Sequence, residues 1–163
     1  MKKATDGSIE KYKAIFFSWG FSQIEGIDYE ETFAPVARYS SIRSILALSA
    51  QMGWNIHQMD VKTVFLNGVI EEEVYIEQPK GFEIFSSKSN VCRLKRALYG
   101  LKQAPHAWYT RRDNYFTRLG FAKSEADPNL YQIVVEGKIL IIFLYVDDLI
   151  LTGDELLDRK SVV

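Results

Sequence analysis

The sequence predicts an α+β fold, an antiparallel sheet with helices packed on one face. Three observations carry that expectation. Short apolar runs come in pairs around turn signals, most clearly Leu130–Val135 and Lys138–Val146 about Glu136-Gly137. Two longer segments, after Ser40-Ser41 and after Pro105, place apolar residues at helical spacing. The strands read as hairpins rather than as strands joined by crossover helices, which a parallel sheet would need.

Taken in chain order, Asp6-Gly7 marks a turn and Ile9 to Trp19 has the composition of a strand. Gly20 to Pro35 is rich in turn-forming and acidic residues and reads as a loop. Ser40-Ser41 suits a helix N-cap region. Ile42, Ile45, Leu46, Leu48 and Ala50 then give an apolar helix that Gly53 stops. Trp54 to Met59 alternates as a strand ending at Asp60, and Asn67-Gly68 signals a turn. Val74–Glu77 is a short strand closed by Pro79 and Gly81, and Asn90–Leu94 alternates likewise. Pro105 suits the first turn of a helix, where a backbone N–H would have no intrahelical partner. Ala107, Trp108, Tyr115, Phe116 and Leu119 lie near one face of that helix, and Gly120 ends it; Trp108 and Tyr115 read as core. Leu149 to Thr152 completes a second hairpin.

At 163 residues the chain has about the length of one domain, and 47% apolar residues suffice for a core, which argues against disorder. The formal charge of −1 is unevenly spread. Lys88, Arg93, Lys95, Arg96, Lys102, Arg111, Arg112, Arg118 and Lys123 are opposed only by Asp113 across that stretch, nine positive charges against one negative. Interleaved with Tyr99, Trp108, Tyr109 and Tyr115, they suit a nucleic-acid surface; a solvated helix face is the plainer reading. The single Cys92 excludes an internal disulfide and fits a reducing compartment as a buried structural thiol. The N-terminus lacks the apolar core of a signal peptide, and no run approaches a membrane span. An intracellular chain, cytoplasmic or nuclear and not secreted, with no membrane partner, is expected.

The chemistry concentrates at Tyr145-Val146-Asp147-Asp148, two aspartates inside an apolar run from Ile139 to Leu151. An unpaired charge in apolar surroundings loses its hydration, so a cation to receive the pair is the simplest reading. Carboxylate oxygens are the ligands Mg²⁺ prefers, which places a metal site at the tip of a buried hairpin. The plainer alternative is a solvated turn. Asp60 ends a strand and could be merely strand-terminating. If that strand lies beside the hairpin, three carboxylates converge, enough for two Mg²⁺ ions roughly 3.5–4 Å apart. Tyr99-Gly100 lies in a tight turn that could bring backbone close to a ligand. His57 reads as structural.

Four ordered segments then carry a resemblance: Asp60-Val61-Lys62-Thr63-Val64-Phe65-Leu66-Asn67-Gly68; Glu73-Val74-Tyr75-Ile76-Glu77-Gln78-Pro79-Lys80-Gly81-Phe82; Leu98-Tyr99-Gly100-Leu101-Lys102-Gln103-Ala104-Pro105-His106-Ala107-Trp108-Tyr109; and Tyr145-Val146-Asp147-Asp148. With Tyr29–Val36, they resemble the reverse transcriptase of copia-type LTR retrotransposons, over roughly Asp6 to Glu155.

The resemblance implies a partial right-hand polymerase within residues 1–163. Residues of about 1–55 and 68–104 would form fingers and palm edge, and about 56–67 and 105–155 the palm. Thumb and RNase H would lie outside these residues, in the remainder of a Pol polyprotein. Asp60, Asp147 and Asp148 would be catalytic and, with the Val61 carbonyl, hold two Mg²⁺ ions, Mn²⁺ being possible in their place. Phe65 would be the sugar gate, with Tyr99 and Gly100 bordering the nucleotide. The helix from Pro105 to Leu119 would support the template side. The partners implied are an RNA or DNA template-primer and a dNTP, and the reaction is attack of a primer 3′-hydroxyl on the α-phosphate.

The match breaks in the fingers. Ile15 and Trp19 stand where the family has Arg and Lys, and Val64 where it has Ala. With an incomplete palm as well, the 163-residue chain is expected to polymerise weakly or not at all. The alternative is an inactive retroelement relic that retains at most nucleic-acid binding. A receiver-type phosphoacceptor domain also gathers three acidic residues, but it needs a parallel sheet.

Overall fold

A computed structural model describes residues 2–3, 5–11, 16–83 and 90–154. Its centre is a five-stranded antiparallel sheet in the order β3-β9-β8-β7-β6, formed by Ile56–Asp60 (β3), Asp148–Gly153 (β9), Lys138–Tyr145 (β8), Leu130–Val135 (β7) and Ala122–Lys123 (β6). Lys2–Lys3 (β1) with Ile9–Lys11 (β2), and Tyr75–Glu77 (β4) with Val91–Arg93 (β5), make two small antiparallel pairs. Two α-helices, Tyr39–Met52 (α1) and Ala104–Arg118 (α2), complete the described architecture. None of the described helices is long and apolar enough to cross a membrane.

The turns follow the local chemistry. Glu136 and Gly137 both take positive φ (53° and 76°), the requirement of the two-residue turn that best matches strand twist. Gly53 ends α1 in the left-handed conformation at φ 69°.

The helices pack on opposite faces of the sheet, which corrects the expectation of one face. Along β8, Leu140, Ile142 and Leu144 join Phe116 of α2 in one cluster. Ile141 and Phe143 join Ile45 of α1 in another. Alternate residues of a strand point to opposite sides, so the unbroken apolar run of β8 is what a doubly covered strand requires. A third cluster, Ile70, Val74, Ala97, Leu101 and Ala104, packs the β4–β5 side against the start of α2.

Three further expectations need correction. Ser40 and Ser41 lie inside the first turn of α1, and the N-cap position is Arg38. Its backbone N–H donates to Asp127 Oδ2 at 3.3 Å, so a distant carboxylate caps the helix. Tyr115 is 47% exposed rather than core. The expected strand from Ile9 to Trp19 reduces to β2 and a single bridge between Phe17 and Tyr99; residues 12–15 lie outside the described set.

The basic stretch is not one solvated face. Arg112 is buried at 4% exposure on the Ala104-Trp108-Arg112-Phe116 stripe of α2, where it donates to Asn129 Oδ1 and lies over the Tyr109 ring. Arg93 pairs with Glu73 at 2.9 Å and Lys123 with Asp113 at 3.0 Å. Lys88 is outside the described residues. Cys92 is a free thiol, half-buried rather than buried.

Candidate active site

Strand β3 pairs with β9 so that Asp60 faces Asp148, the last pair of that ladder. Strand β8 pairs with β9 so that Tyr145 faces Asp148, leaving Val146 and Asp147 as a two-residue turn. The three aspartates expected at one end of the sheet are therefore brought to that end by register alone. Asp60 and Asp148 project to the same side, since directly opposed residues share a face. It is the α1 side, because Asp148 lines a cavity of about 230 Å³ with Tyr39, Ile42, Gln58, Phe143 and Ile150. Gln58 Nε2 donates to Asp148 Oδ1 at 3.1 Å.

Exposure corrects the idea of a buried tip. Asp60 and Asp147 are exposed and Asp148 is half-buried, although β8 and β9 behind them are largely buried. Hydration is thus open to all three carboxylates, and the apolar flanks belong to the sheet interior. Among the described residues the side chains form no group of three that could hold a metal ion as they stand. The donor set nevertheless fits a hard cation in kind: three carboxylates on adjacent strand ends, with the Val61 carbonyl next in the chain.

The turn itself is tied down. Trp108, 9% exposed on α2, donates its indole N–H to the Val146 carbonyl at 2.9 Å. The Val61 N–H donates to the Asp147 carbonyl at 2.8 Å. Val146 sits at φ 54°, a left-handed conformation that costs a non-glycine residue about 1–3 kcal/mol. Trp108 read correctly as core, but its hydrogen bond carried no sequence signal. The bonds of Gln103 carry no sequence signal either. Its buried amide donates to the Asp28 carbonyl and accepts from Gln23 at 3.0 Å each, stitching the Gly20–Pro35 loop to the start of α2.

Phe65 lies on the short 3₁₀ segment Val64–Asn67 that follows Asp60, and its ring meets Tyr99 edge-on at 5.1 Å. The Tyr99 ring is exposed, and its carbonyl accepts from the Ser18 N–H at 2.8 Å. Gly100 (φ 96°) permits a close approach, but the neighbour is the chain itself: a Cβ there would lie 2.2 Å from the Ser18 carbonyl oxygen. A Cβ on Gly20 would lie 1.9 Å from the Gly100 oxygen, so the two glycines fit against each other. Trp19, next to Gly20 in the chain, is 68% exposed and stacks on Phe21. Ile15 lies outside the described residues.

Comparison with known proteins settles the family. The model of the family described as "Reverse transcriptase (RNA-dependent DNA polymerase)" matches residues 1–162. The chain belongs to the reverse transcriptase family. It is 44% identical over 156 residues to a retrovirus-related Pol polyprotein from transposon TNT 1-94 of Nicotiana tabacum. It is 42% identical over 154 residues to the corresponding polyprotein from transposon RE1 of Arabidopsis thaliana. These matches cover 95% and 94% of this chain but only 12% and 10% of the two polyproteins. No solved structure gives a significant match. Within this reverse transcriptase chain, three of the four ordered segments that carried the resemblance build the sheet end just described: the end of β3 with its 3₁₀ turn, the entry to α2, and the β8–β9 hairpin; the fourth forms β4, which pairs with β5.

Proposed function

We propose that this chain carries the catalytic carboxylates of an RNA-directed DNA polymerase of a retrotransposon Pol polyprotein. The observation that supports the reading best is the register pairing of Asp60 with Asp148, with Asp147 at the adjoining turn. Asp60, Asp147, Asp148 and the Val61 carbonyl would hold two Mg²⁺ ions, with Mn²⁺ as a substitute. When bound, such ions favour ionisation of the primer 3′-hydroxyl and neutralise charge on the leaving pyrophosphate.

The chain's own residues contribute placement. Two strand ends and a tied turn limit how far each carboxylate can move, which lowers the reorganisation needed during reaction. Phe65, braced by Tyr99, would form the wall against which a ribose 2′-hydroxyl clashes. Tyr99 would border the incoming dNTP, and Gly100 would act indirectly by letting the Phe17–Gly20 segment close against it. The template-primer, whether RNA or DNA, would lie across the exposed carboxylate end, continued by the remainder of the polyprotein.

RNA-templated extension of a DNA primer by the chain tests this. Incorporation, weak as the altered fingers segment leads one to expect, should require a divalent cation and vanish in Asp60→Asn and in Asp147→Asn. Incorporation that survives in both variants overturns the assignment. The exposed Trp19–Phe21 stack favours a second reading, a relic that binds nucleic acid without catalysis, because Trp19 offers a π-face where the family has a cation. That reading expects RNA binding unchanged in both aspartate variants and no incorporation in the parent.

A further inference from the structure

We propose that Trp108 is a positioning residue for the carboxylates of Asp147 and Asp148, acting through the hairpin turn rather than on substrate. The role rests on the metal reading above. The Val146 carbonyl belongs to the peptide plane leading into Asp147. A hydrogen bond to it therefore fixes the ψ of Val146 and the φ of Asp147, the torsions that aim the Asp147 carboxylate. Trp108 supplies that bond from α2 at 2.9 Å. The next carbonyl, of Asp147, is held by the Val61 N–H, from the residue that follows Asp60. Both peptide oxygens of a turn that ordinarily faces water are thus tied to the body of the domain.

The turn's own residues do not explain its shape. A two-residue turn with positive φ at its first position alone favours Gly there, whereas this one places β-branched Val146 at φ 54°. Packing alone does not impose the shape either, since an apolar cavity of about 280 Å³ lined by Val61, Trp108, Leu144 and Leu149, among others, adjoins the indole. The Val61 N–H and the indole N–H are the external constraints that remain, and the indole is the one that couples the core of α2 to the direction of the carboxylates.

Mn²⁺ affinity of the full 163-residue chain, read by electron paramagnetic resonance, tests the role without any need for polymerisation. Trp108→Phe keeps the aromatic bulk and loses the donor; it should weaken Mn²⁺ binding by about 10-fold or more. Adding Val146→Gly, which takes a positive φ at the first position of such a turn without strain, should restore most of that loss. A Trp108 that served packing alone would not be rescued at Val146. Equal affinity in the parent and Trp108→Phe, or a loss that Val146→Gly leaves uncorrected, overturns the positioning role and leaves the metal reading standing. No Mn²⁺ binding by the parent overturns both. A measurement on the unaltered chain covers the case of a variant that fails to fold: the Trp108 indole N–H resonance should shift on addition of Mg²⁺, and an unmoved resonance overturns the role.

Discussion

Asp60 and Asp148 face each other across the final rung of the β3–β9 ladder. Like charges in directly opposed sheet positions are destabilising, so the fold alone gives no reason for this pairing. Replacing Asp60 with Asn should therefore leave stability unchanged or slightly raised in metal-free buffer, within about 0.5 kcal/mol. Denaturant unfolding measures it. A large loss of stability would mean that Asp60 is structural.

Gly100 holds the site's outer wall together. At φ 96°, with the Ser18 oxygen 2.2 Å from where a Cβ would stand, Gly100→Ala cannot keep the present contact. The Phe17–Gly20 segment should undock from Tyr99, with a loss of about 1–3 kcal/mol. Trp19 fluorescence and unfolding midpoints would show both effects. An unchanged variant would place the close approach elsewhere.

Ile141 and Ile142 are sequence neighbours in different cores, one against α1 and the other against α2. Each Ile→Val change should cost about 0.5–1.5 kcal/mol. The double variant should lose the sum of the two, within about 0.5 kcal/mol, because the side chains share no packing partner. Strong coupling between them would contradict a sheet covered on both faces.

Asp127 links stability to pH. Burial raises its carboxyl pKa, but hydrogen bonds from Ser41, from the Asn129 and Arg38 amides and from the Asn129 side chain outweigh burial and hold it below the ordinary value. A group depressed in the folded state stabilises above its unfolded pKa, about 3.9. That stability is lost as pH falls through the lower folded value. Asp127→Ala should cost about 1–3 kcal/mol at neutral pH by leaving buried amides unsatisfied, and should flatten the acid limb of the stability curve. An acid limb as steep as the parent's would mean that other carboxylates carry it.

Much of this was legible in the residues. The hairpin about Glu136-Gly137, the stop at Gly53 and the helix entry at Pro105 follow from local backbone chemistry, which short-range reading captures. Asp60, Asp147 and Asp148 stood out because strand pairing is set by pattern, and their register obeyed it. What was not legible depends on partners distant in sequence. Arginine is seldom buried without a partner, and nothing near Arg112 announces Asn129. The capping of α1 by Asp127 and the bond from Trp108 to Val146 likewise join separate segments. Nor does a valine in a two-residue turn announce a left-handed conformation; only the groups that hold it there do. The placement of α1 and α2 on opposite faces was written in the unbroken run of β8, but only when its alternate residues are assigned to different sides.

The central claim is that three carboxylates at one end of the sheet act together on a divalent cation. Mn²⁺ titration of the chain against Asp60→Asn, Asp147→Asn and Asp148→Asn tests it most directly. Saturable binding that each single change weakens by about 10-fold or more is the expected result. Binding that is indifferent to all three changes, or absent from the parent chain, would contradict it.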